Sequence, residues 1–179
     1  MPTSTLQTLL DAAHDRSLPP VERWNPPREG EIDIRIAANG DWYHEGGLIR
    51  RFAIAKLFAT ILRVDDGAHF LVTPAEKLRI RVDDAPFVAT DMETDGEEKA
   101  RRILFTTNVE DVVLVDADHP IVVEDRRGEP RPYVEVRRGL RALIARSVFY
   151  RLVDLACEGP DGEFGVWSSG TRFALGRCS

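Results

Sequence analysis

The sequence contains few of the residues that mark a specialised class of protein. Its 179 residues include two cysteines, too few for a disulfide framework, and neither lies in a Cys-x-x-Cys pair, which leaves zinc and redox chemistry little support. Arginine or lysine interrupts the apolar stretches every few residues, so we expect no membrane-spanning segment and no membrane partner. The first residues lack the pattern of a secretory signal, and we therefore expect a cytoplasmic protein.

Motifs for metal, nucleotide or hydrolytic chemistry are also missing. The four histidines are scattered, with no pair at helical spacing, so we predict no metal site. No glycine-rich phosphate loop follows a predicted strand, and no hydrolase elbow is present. The sequence therefore names no cofactor and no catalytic residue. Twenty-four basic and 30 acidic residues give a net charge of −6, which makes nucleic-acid binding an unfavoured function.

Hydrophobic periodicity indicates a globular chain of strands and two long helices. Hydrophobic residues are 43% and charged residues 30% of the sequence, as in an ordinary soluble domain. Polar and apolar residues alternate over 31–36, which predicts a half-buried strand, and apolar residues recur at helical spacing over 48–63 and 140–156.

Composition divides the chain into four segments. We predict an N-terminal helix and a proline-rich connector over residues 1–27. A first α+β unit covers 28–92, an acidic linker or loop covers 93–100, and a second α+β unit covers 101–179.

The two predicted units resemble each other. A shift of 91 residues places Leu57 on Val148, and a shift of 95 places Asp66-Gly67 on Asp161-Gly162. The predicted fold class is therefore α+β, with two similar units from an internal duplication, each a small antiparallel sheet packed against one long helix. The alternative is a chance likeness between hairpins and helices. A pair of such units would create a seam, and ligand sites often occur at such interfaces.

Four residues of the first unit are candidates for ligand binding. Trp42 could stack on a ligand and His44 could bind it or relay a proton, while Arg51 could grip a carboxylate or phosphate. Thr73 offers a hydroxyl. The alternatives are a tryptophan that anchors the core, an exposed histidine, an arginine with an internal partner and a hydroxyl that bonds to its own turn.

The second unit provides four more candidates: Tyr133, Arg137, Arg146 and Ser168. Arg146 lies on an apolar helical pattern, where a buried guanidinium needs an anionic partner. The partner is either a ligand or an internal acidic residue. Arginines are concentrated over 126–141, and such a local positive patch attracts acidic ligands or partners; a solvated hairpin with charged edges is the alternative.

Several short motifs, in order, resemble a bacterial family. They are Trp24-Asn25-Pro26-Pro27, Gly40-Asp41-Trp42-Tyr43-His44-Glu45-Gly46, Leu71-Val72-Thr73-Pro74-Ala75-Glu76-Lys77, Thr107-Asn108-Val109, Tyr133-Val134-Glu135-Val136-Arg137 and Val166-Trp167-Ser168-Ser169-Gly170. Over residues 20–176 the chain is similar to the domain-of-unknown-function 1285 family. The resemblance implies a two-domain α/β protein of proteobacterial type with a role in ligand-regulated signalling. It carries over no catalytic residue.

Three functions remain in competition. The first is a non-catalytic module that binds a small anionic ligand and acts in signal transduction or regulation. The second is an enzyme in which His44 and Glu45 are the acid and base groups, and it requires His44 to lie in a cleft. The third is a scaffold that acts through a protein partner, and it requires a contiguous exposed apolar patch.

Overall fold

The structure, a computed structural model, describes residues 5–14 and 17–177. Fifteen β-strands and three α-helices are present in these residues. The helices are α1 (Thr5–His14), α2 (Phe52–Thr60) and α3 (Arg146–Asp154). The strands are β1 (Arg28–Ile36), β2 (Trp42–His44), β3 (Gly47–Leu48), β4 (Leu62–Asp65), β5 (Ala68–Val72), β6 (Glu76–Val82), β7 (Phe87–Asp95), β8 (Arg102–Thr107), β9 (Val112–Leu114), β10 (Ile121–Arg126), β11 (Glu129–Arg137), β12 (Leu140–Ile144), β13 (Cys157–Glu158), β14 (Glu163–Ser168) and β15 (Thr171–Arg177).

The strands form two six-stranded sheets and one three-stranded sheet. The first sheet has the order β3-β2-β1-β6-β5-β4, the second has the order β10-β11-β12-β7-β8-β9, and the third is β13-β14-β15. Pairing is antiparallel except between β1 and β6 and between β12 and β7, which are parallel. The change from the first to the second sheet therefore falls between β6 and β7, upstream of the acidic segment 93–100.

The predicted fold class is wrong in its balance of helix and strand. Strands make up 49% of the chain and helices 18%, and two of the three sheets are six-stranded and mixed rather than small and antiparallel. Neither long helix exists: α2 and α3 have nine residues each, and a strand precedes and follows each of them.

An ambiguous period explains the error at residues 140–156. Leu140, Ile144, Val148 and Leu152 recur at helical spacing, but Leu140, Ala142 and Ile144 also recur at the two-residue spacing of a strand. Pairing with β11 on one side and β7 on the other decides for the strand, since each partner supplies a ladder of hydrogen bonds. Tertiary context has overridden the local helical pattern.

The order of elements repeats along the chain. The first repeat is β1-β2-β3-α2-β4-β5-β6, and the second repeat is β10-β11-β12-α3-β13-β14-β15. The corresponding hairpins after each helix both turn at a glycine with a positive φ angle, 80° at Gly67 and 71° at Gly162. This order is consistent with the predicted internal duplication. Strands β7 to β9 lie between the repeats and extend the sheet of the second one.

One apolar cluster joins the repeats. It contains Ile34 and Ile36 of β1, Phe87 of β7 and Leu152 of α3, all buried. Helix α1 belongs to a smaller cluster, in which Leu6 and Leu10 pack against Leu104. Residues 1–4 of the predicted N-terminal segment lie outside the described residues. The repeats thus share one core.

Ser168 fixes the third sheet to the second. Its Oγ accepts a hydrogen bond from the amide of Ile103 at 2.9 Å and donates one to the carbonyl of Val115 at 2.7 Å. The side chain is fully buried. The hydroxyl predicted to bind a ligand is therefore engaged in the fold, because both of its hydrogen-bonding roles are taken by backbone groups.

Asp84 fixes the segment that connects the first sheet to the second. Its side chain is 4% exposed and accepts hydrogen bonds from Tyr133 Oη at 2.6 Å, from Arg126 at 3.2 Å and from Arg131. The ring of Tyr133 lies beneath the guanidinium of Arg141, 4.2 Å from its centroid. The link between the sheets is thus held to β10 and β11 by one carboxylate.

Ser168→Ala should destabilise the protein by about 1–3 kcal/mol, because it leaves the buried amide of Ile103 without its hydrogen-bond partner. Equilibrium urea unfolding measures the loss. Ser169→Ala is the matched control, since Ser169 also donates to Val115 but is exposed, and it should cost no more than about 0.5 kcal/mol. Equal losses in the two variants would contradict a structural role specific to Ser168.

Asp84→Asn should lower the free energy of unfolding at pH 7 by about 1.5–3 kcal/mol, because it weakens the charged hydrogen bonds that the buried carboxylate accepts from Tyr133, Arg126 and Arg131. Burial raises the pKa of Asp84. Hydrogen bonds from Tyr133 and Arg131, together with the charges of Arg131 and Arg126, lower the pKa by more than burial raises it, so the pKa lies below its ordinary value. The ionised group therefore stabilises the protein fully above the unfolded pKa of about 3.9, and this contribution is lost as the pH falls through the folded pKa.

Urea unfolding of wild type and Asp84→Asn between pH 7 and pH 3 tests this linkage. The difference between the two proteins should shrink as the medium becomes acidic. Asp83→Asn is the control, since Asp83 is adjacent in sequence but exposed, in an ion pair with Arg35. A difference between wild type and Asp84→Asn that is independent of pH would refute the assignment.

Candidate functional site

The structure does not bring the eight predicted site residues together. Trp42 is buried in the core and packs against Phe58, with ring centroids 6.1 Å apart. Its indole Nε1 has no hydrogen-bond partner among the described residues. His44 is on the surface, with half of its side chain exposed and its Nε2 3.9 Å from Glu45 Oε1. The five clefts described for the chain include neither His44 nor Glu45.

Arg51 and Thr73 are also remote from any of these clefts. Arg51 is exposed at the residue before α2. The hydroxyl of Thr73 accepts hydrogen bonds from the amides of Ala75 at 3.3 Å and Glu76 at 3.1 Å, in the turn between β5 and β6. This is the local role that polar turn residues commonly have.

Arg137 is a clamp between the repeats. It donates from Nη1 to Asp111 at 2.6 Å and from Nη2 to the carbonyl of Ala59 in α2 at 2.8 Å. Its guanidinium also covers the ring of Phe87, 5.1 Å from the centroid. Only 16% of the side chain is exposed. The predicted seam therefore exists, but its arginine has internal partners.

Arg146 is the predicted residue that lines a cleft and has no internal partner. The cleft lies at the start of α3 and has a volume of about 400 Å³. Its lining consists of Glu129, Pro130, Arg131, Pro132, Leu143, Ile144, Ala145, Arg146, Phe149 and Tyr150. We call it the Arg146 cleft. No acidic side chain of the described residues forms an ion pair with Arg146, and its side chain is exposed.

The local chain path explains why this helix start is open. β12 ends at Ile144, and Ala145 is extended, with φ −57° and ψ 147°. Ala145 precedes α3 and supplies no side-chain cap. The amide of Phe149 bonds to the carbonyl of Ala145 at 2.8 Å, so the amides of residues 146–148 are left without intrahelical partners. These amides favour a negative charge near them.

The walls of the Arg146 cleft are apolar and aromatic. Tyr150 is 60% exposed, and Phe149 is half-buried beside it. Pro130 and Pro132 form the opposite side; because proline has no amide hydrogen, they also limit how far β11 can pair with β12.

Charge in the Arg146 cleft favours an anion. Arg131 and Arg146 carry positive charge, and Glu129 is the acidic residue of the lining. The charge of Arg131 is balanced by its ion pair with Asp84. The Nε atom of Arg131 is buried and has no hydrogen-bond partner in the described residues. Arg146 is therefore the cation that remains free for a ligand.

Sequence reasoning identified Arg146 and missed most of the cleft around it. Tyr150 lies four residues after Arg146 on α3, and this spacing is a signal for a shared helix face. The rest of the lining includes Pro130, Arg131 and Pro132, which lie in the hairpin of β10 and β11. The pairing of β11 with β12 brings these residues to α3.

Other site classes find no support in the described residues. No group of three or more His, Cys, Asp or Glu side chains there is arranged to hold a metal ion. Within residues 5–14 and 17–177, no helix is long and apolar enough to cross a bilayer.

Comparison with known proteins places this geometry in a family. Residues 19–85 match the family model for the N-terminal domain of DUF1285, a domain of unknown function, and residues 86–175 match the model for the C-terminal domain of DUF1285, a protein of unknown function. No curated protein matches the chain.

Two crystal structures are similar to the chain. A DUF1285 family protein from Silicibacter pomeroyi DSS-3 is 48% identical over 94% of each chain, with a TM-score of 0.86. A DUF1285 family protein from Shewanella baltica OS155 is 30% identical over 68% of this chain and 90% of its own, with a TM-score of 0.55. The two family models and the extended match at 48% identity show that the chain belongs to the DUF1285 family, as its motifs predicted.

Proposed function

We propose that this protein is a non-catalytic cytoplasmic module that binds a small organic anion in the Arg146 cleft and has a regulatory role. The observation that carries the proposal is an arginine without an internal partner, at an uncapped helix start, inside a cleft with aromatic walls.

The chemistry of the cleft fits a ligand with an anionic head and a flat apolar body. A guanidinium grips a carboxylate or phosphate with two parallel hydrogen bonds, and the free amides at the start of α3 add donors to the same oxygen atoms. The rings of Phe149 and Tyr150 offer faces for stacking. A volume of about 400 Å³ lies in the range of small-molecule sites.

The regulatory part of the proposal rests on the position of Arg131. This residue lines the cleft and also holds Asp84 in the segment between the two sheets. A bound anion would compete with Asp84 for the same guanidinium. Ligand binding would thereby loosen or shift the connection between the sheets, which is the response that a signalling module requires.

The enzyme hypothesis has weaker support. His44 and Glu45 are on the open surface and line none of the five clefts, so neither residue belongs to the wall around a substrate held in one of them.

A protein-interaction role is the second candidate. Phe52, Ile54 and Leu57 on α2 are 45%, 37% and 63% exposed, which gives one short helix an apolar outer face. This observation supports a partner but does not indicate its chemistry.

A thermal-shift screen with aromatic and aliphatic carboxylates and phosphates tests the Arg146 cleft. A ligand at one hundred times its Kd should stabilise the protein by about 2.7 kcal/mol, which a melting curve detects. Aromatic anions should shift the melting temperature more than aliphatic anions, because only they stack on Phe149 and Tyr150.

Arg146→Ala should abolish the ligand-induced shift. Arg51→Ala is the matched control, since Arg51 is also exposed beside the first residue of a helix but lines no described cleft, and it should keep the full shift. A panel without effect on the wild type, or equal loss in both variants, would refute the proposal.

A further inference from the structure

The two repeats differ at one sheet junction. In the first repeat, β1 and β6 pair directly as parallel strands, from Arg28 opposite Glu76 to Ile36 opposite Val82. The corresponding strands of the second repeat are β10 and β15. They are neighbours in space, but β10 is the last strand of its sheet and β15 the last of another, with no ladder between them in the described residues.

A cleft occupies the position of the missing ladder. It has a volume of about 550 Å³ and is lined by Val123, Glu124, Asp125, Gly128, Pro130, Glu163, Ala174, Leu175, Gly176 and Arg177. At one end the strands are held by the core, since Ile121 and Phe173 are buried in the same apolar cluster. Beyond these residues the two strands line the cleft and form no ladder with each other in the described residues. We call this cleft the β10–β15 slot.

Both walls of the slot present backbone groups to which the described part of the chain supplies no partner. Arg126 and Glu129 flank the turn between β10 and β11 and form a hydrogen-bonded pair. Hydrogen-bonded and non-hydrogen-bonded pairs alternate along the hairpin, so Val123 and Asp125 direct their amides and carbonyls away from β11. In the hairpin of β14 and β15 the same alternation directs Ala174 outward. No backbone hydrogen bond joins these groups across the slot.

Water can solvate such a row of alternating donors and acceptors, and an extended chain can pair with it along its length. Free strand edges are templates for pairing, and proteins recognise peptides by adding them as a further strand. In the first repeat, the corresponding edge of β1 is paired with a parallel strand, β6.

The charges of the slot select the kind of peptide. Glu124, Asp125 and Glu163 contribute three carboxylates, against the single guanidinium of Arg177. Glu124 already pairs with Arg141 at 2.6 Å and with Arg126 at 3.6 Å, whereas Asp125 accepts the amide of Gly128 at 2.8 Å and forms no ion pair with a described residue. The lining therefore favours lysine or arginine side chains.

We propose that the β10–β15 slot binds an extended, cationic peptide segment of a partner protein by β-strand addition. This site shares Pro130 with the lining of the Arg146 cleft but uses different charged residues and does not depend on a small ligand. Specificity arises from cationic side chains beside Asp125 and Glu163, and affinity from backbone hydrogen bonds to the two strand edges.

Amide hydrogen exchange of the free protein, measured by NMR, gives the first test. The amides of Val123 and Asp125 should exchange at least about tenfold faster than those of Val122 and Glu124, which pair with β11. Slow exchange at Val123 and Asp125 would overturn the proposal, because it would mean that the edge is already paired.

Binding of a labelled peptide, measured by fluorescence anisotropy, gives the second test. The probe is an acetylated and amidated peptide of alternating valine and lysine, about six residues long, the length of a typical strand. It should bind at least about tenfold more tightly than the matching peptide of valine and glutamate. Methylation of every second amide nitrogen should abolish binding, since it removes the donors of one peptide edge. Binding should also slow the exchange of Val123 and Asp125.

Two variants locate the site. Glu163→Lys should weaken binding of the lysine peptide at least about tenfold, because it reverses a charge of the lining. Val123→Pro should do the same, because it removes an amide that faces the slot, and thermal melting checks that it folds. Absence of peptide binding, or equal binding of the methylated peptide, would overturn the proposal even where Val123→Pro fails to fold.

Discussion

Pairing between strand edges governs how this structure is assembled. Strand β1 is completed by β6 within the first repeat, whereas β12 in the second repeat is completed by β7, which lies between the repeats in the sequence. That pairing brings β8 and β9 with it and builds a six-stranded sheet. The third sheet is consequently detached from the second, and the buried hydroxyl of Ser168 replaces the missing ladder as the link between them. The two repeats thus share an order of elements and differ in how their edges are satisfied.

Charge placement follows a similar rule of internal completion. Arg137 and Arg131 are partly buried. Arg137 pairs with Asp111 and Arg131 pairs with Asp84, because an unpaired charge inside the protein would be costly. These pairs lie where the chain passes from one repeat to the other, so electrostatics holds the repeats in register. Arg146 differs from these two residues, because it is exposed and no described acidic side chain forms an ion pair with it.

Local patterns predicted some elements and misled at others. Alternation over 31–36 predicted a strand, and that segment lies within β1; the Asp66-Gly67 turn is also present. The predicted helices were too long. Apolar residues spaced by four along 140–152 fit the pattern of a helix and also that of a strand, and strand pairing in the sheet decides for the strand at Leu140–Ile144. Of the site residues, Arg146 was recognisable as a charge on an apolar helix. Arg131 was visible only as one of many arginines, since its place opposite α3 depends on hairpin pairing.

The position of β7 to β9 has a consequence for the order in which the chain is completed during synthesis. All strands of the first sheet have left the ribosome once residue 82 is free, so the first repeat can form its ladders early. Strand β7 follows at once, but its parallel partner β12 is not available until residue 144. For that interval the nascent chain exposes a buried strand's edge, with Phe87 and Ala89 uncovered. Synthesis speed over residues 95–144 therefore sets how long this apolar edge is open to a wrong partner.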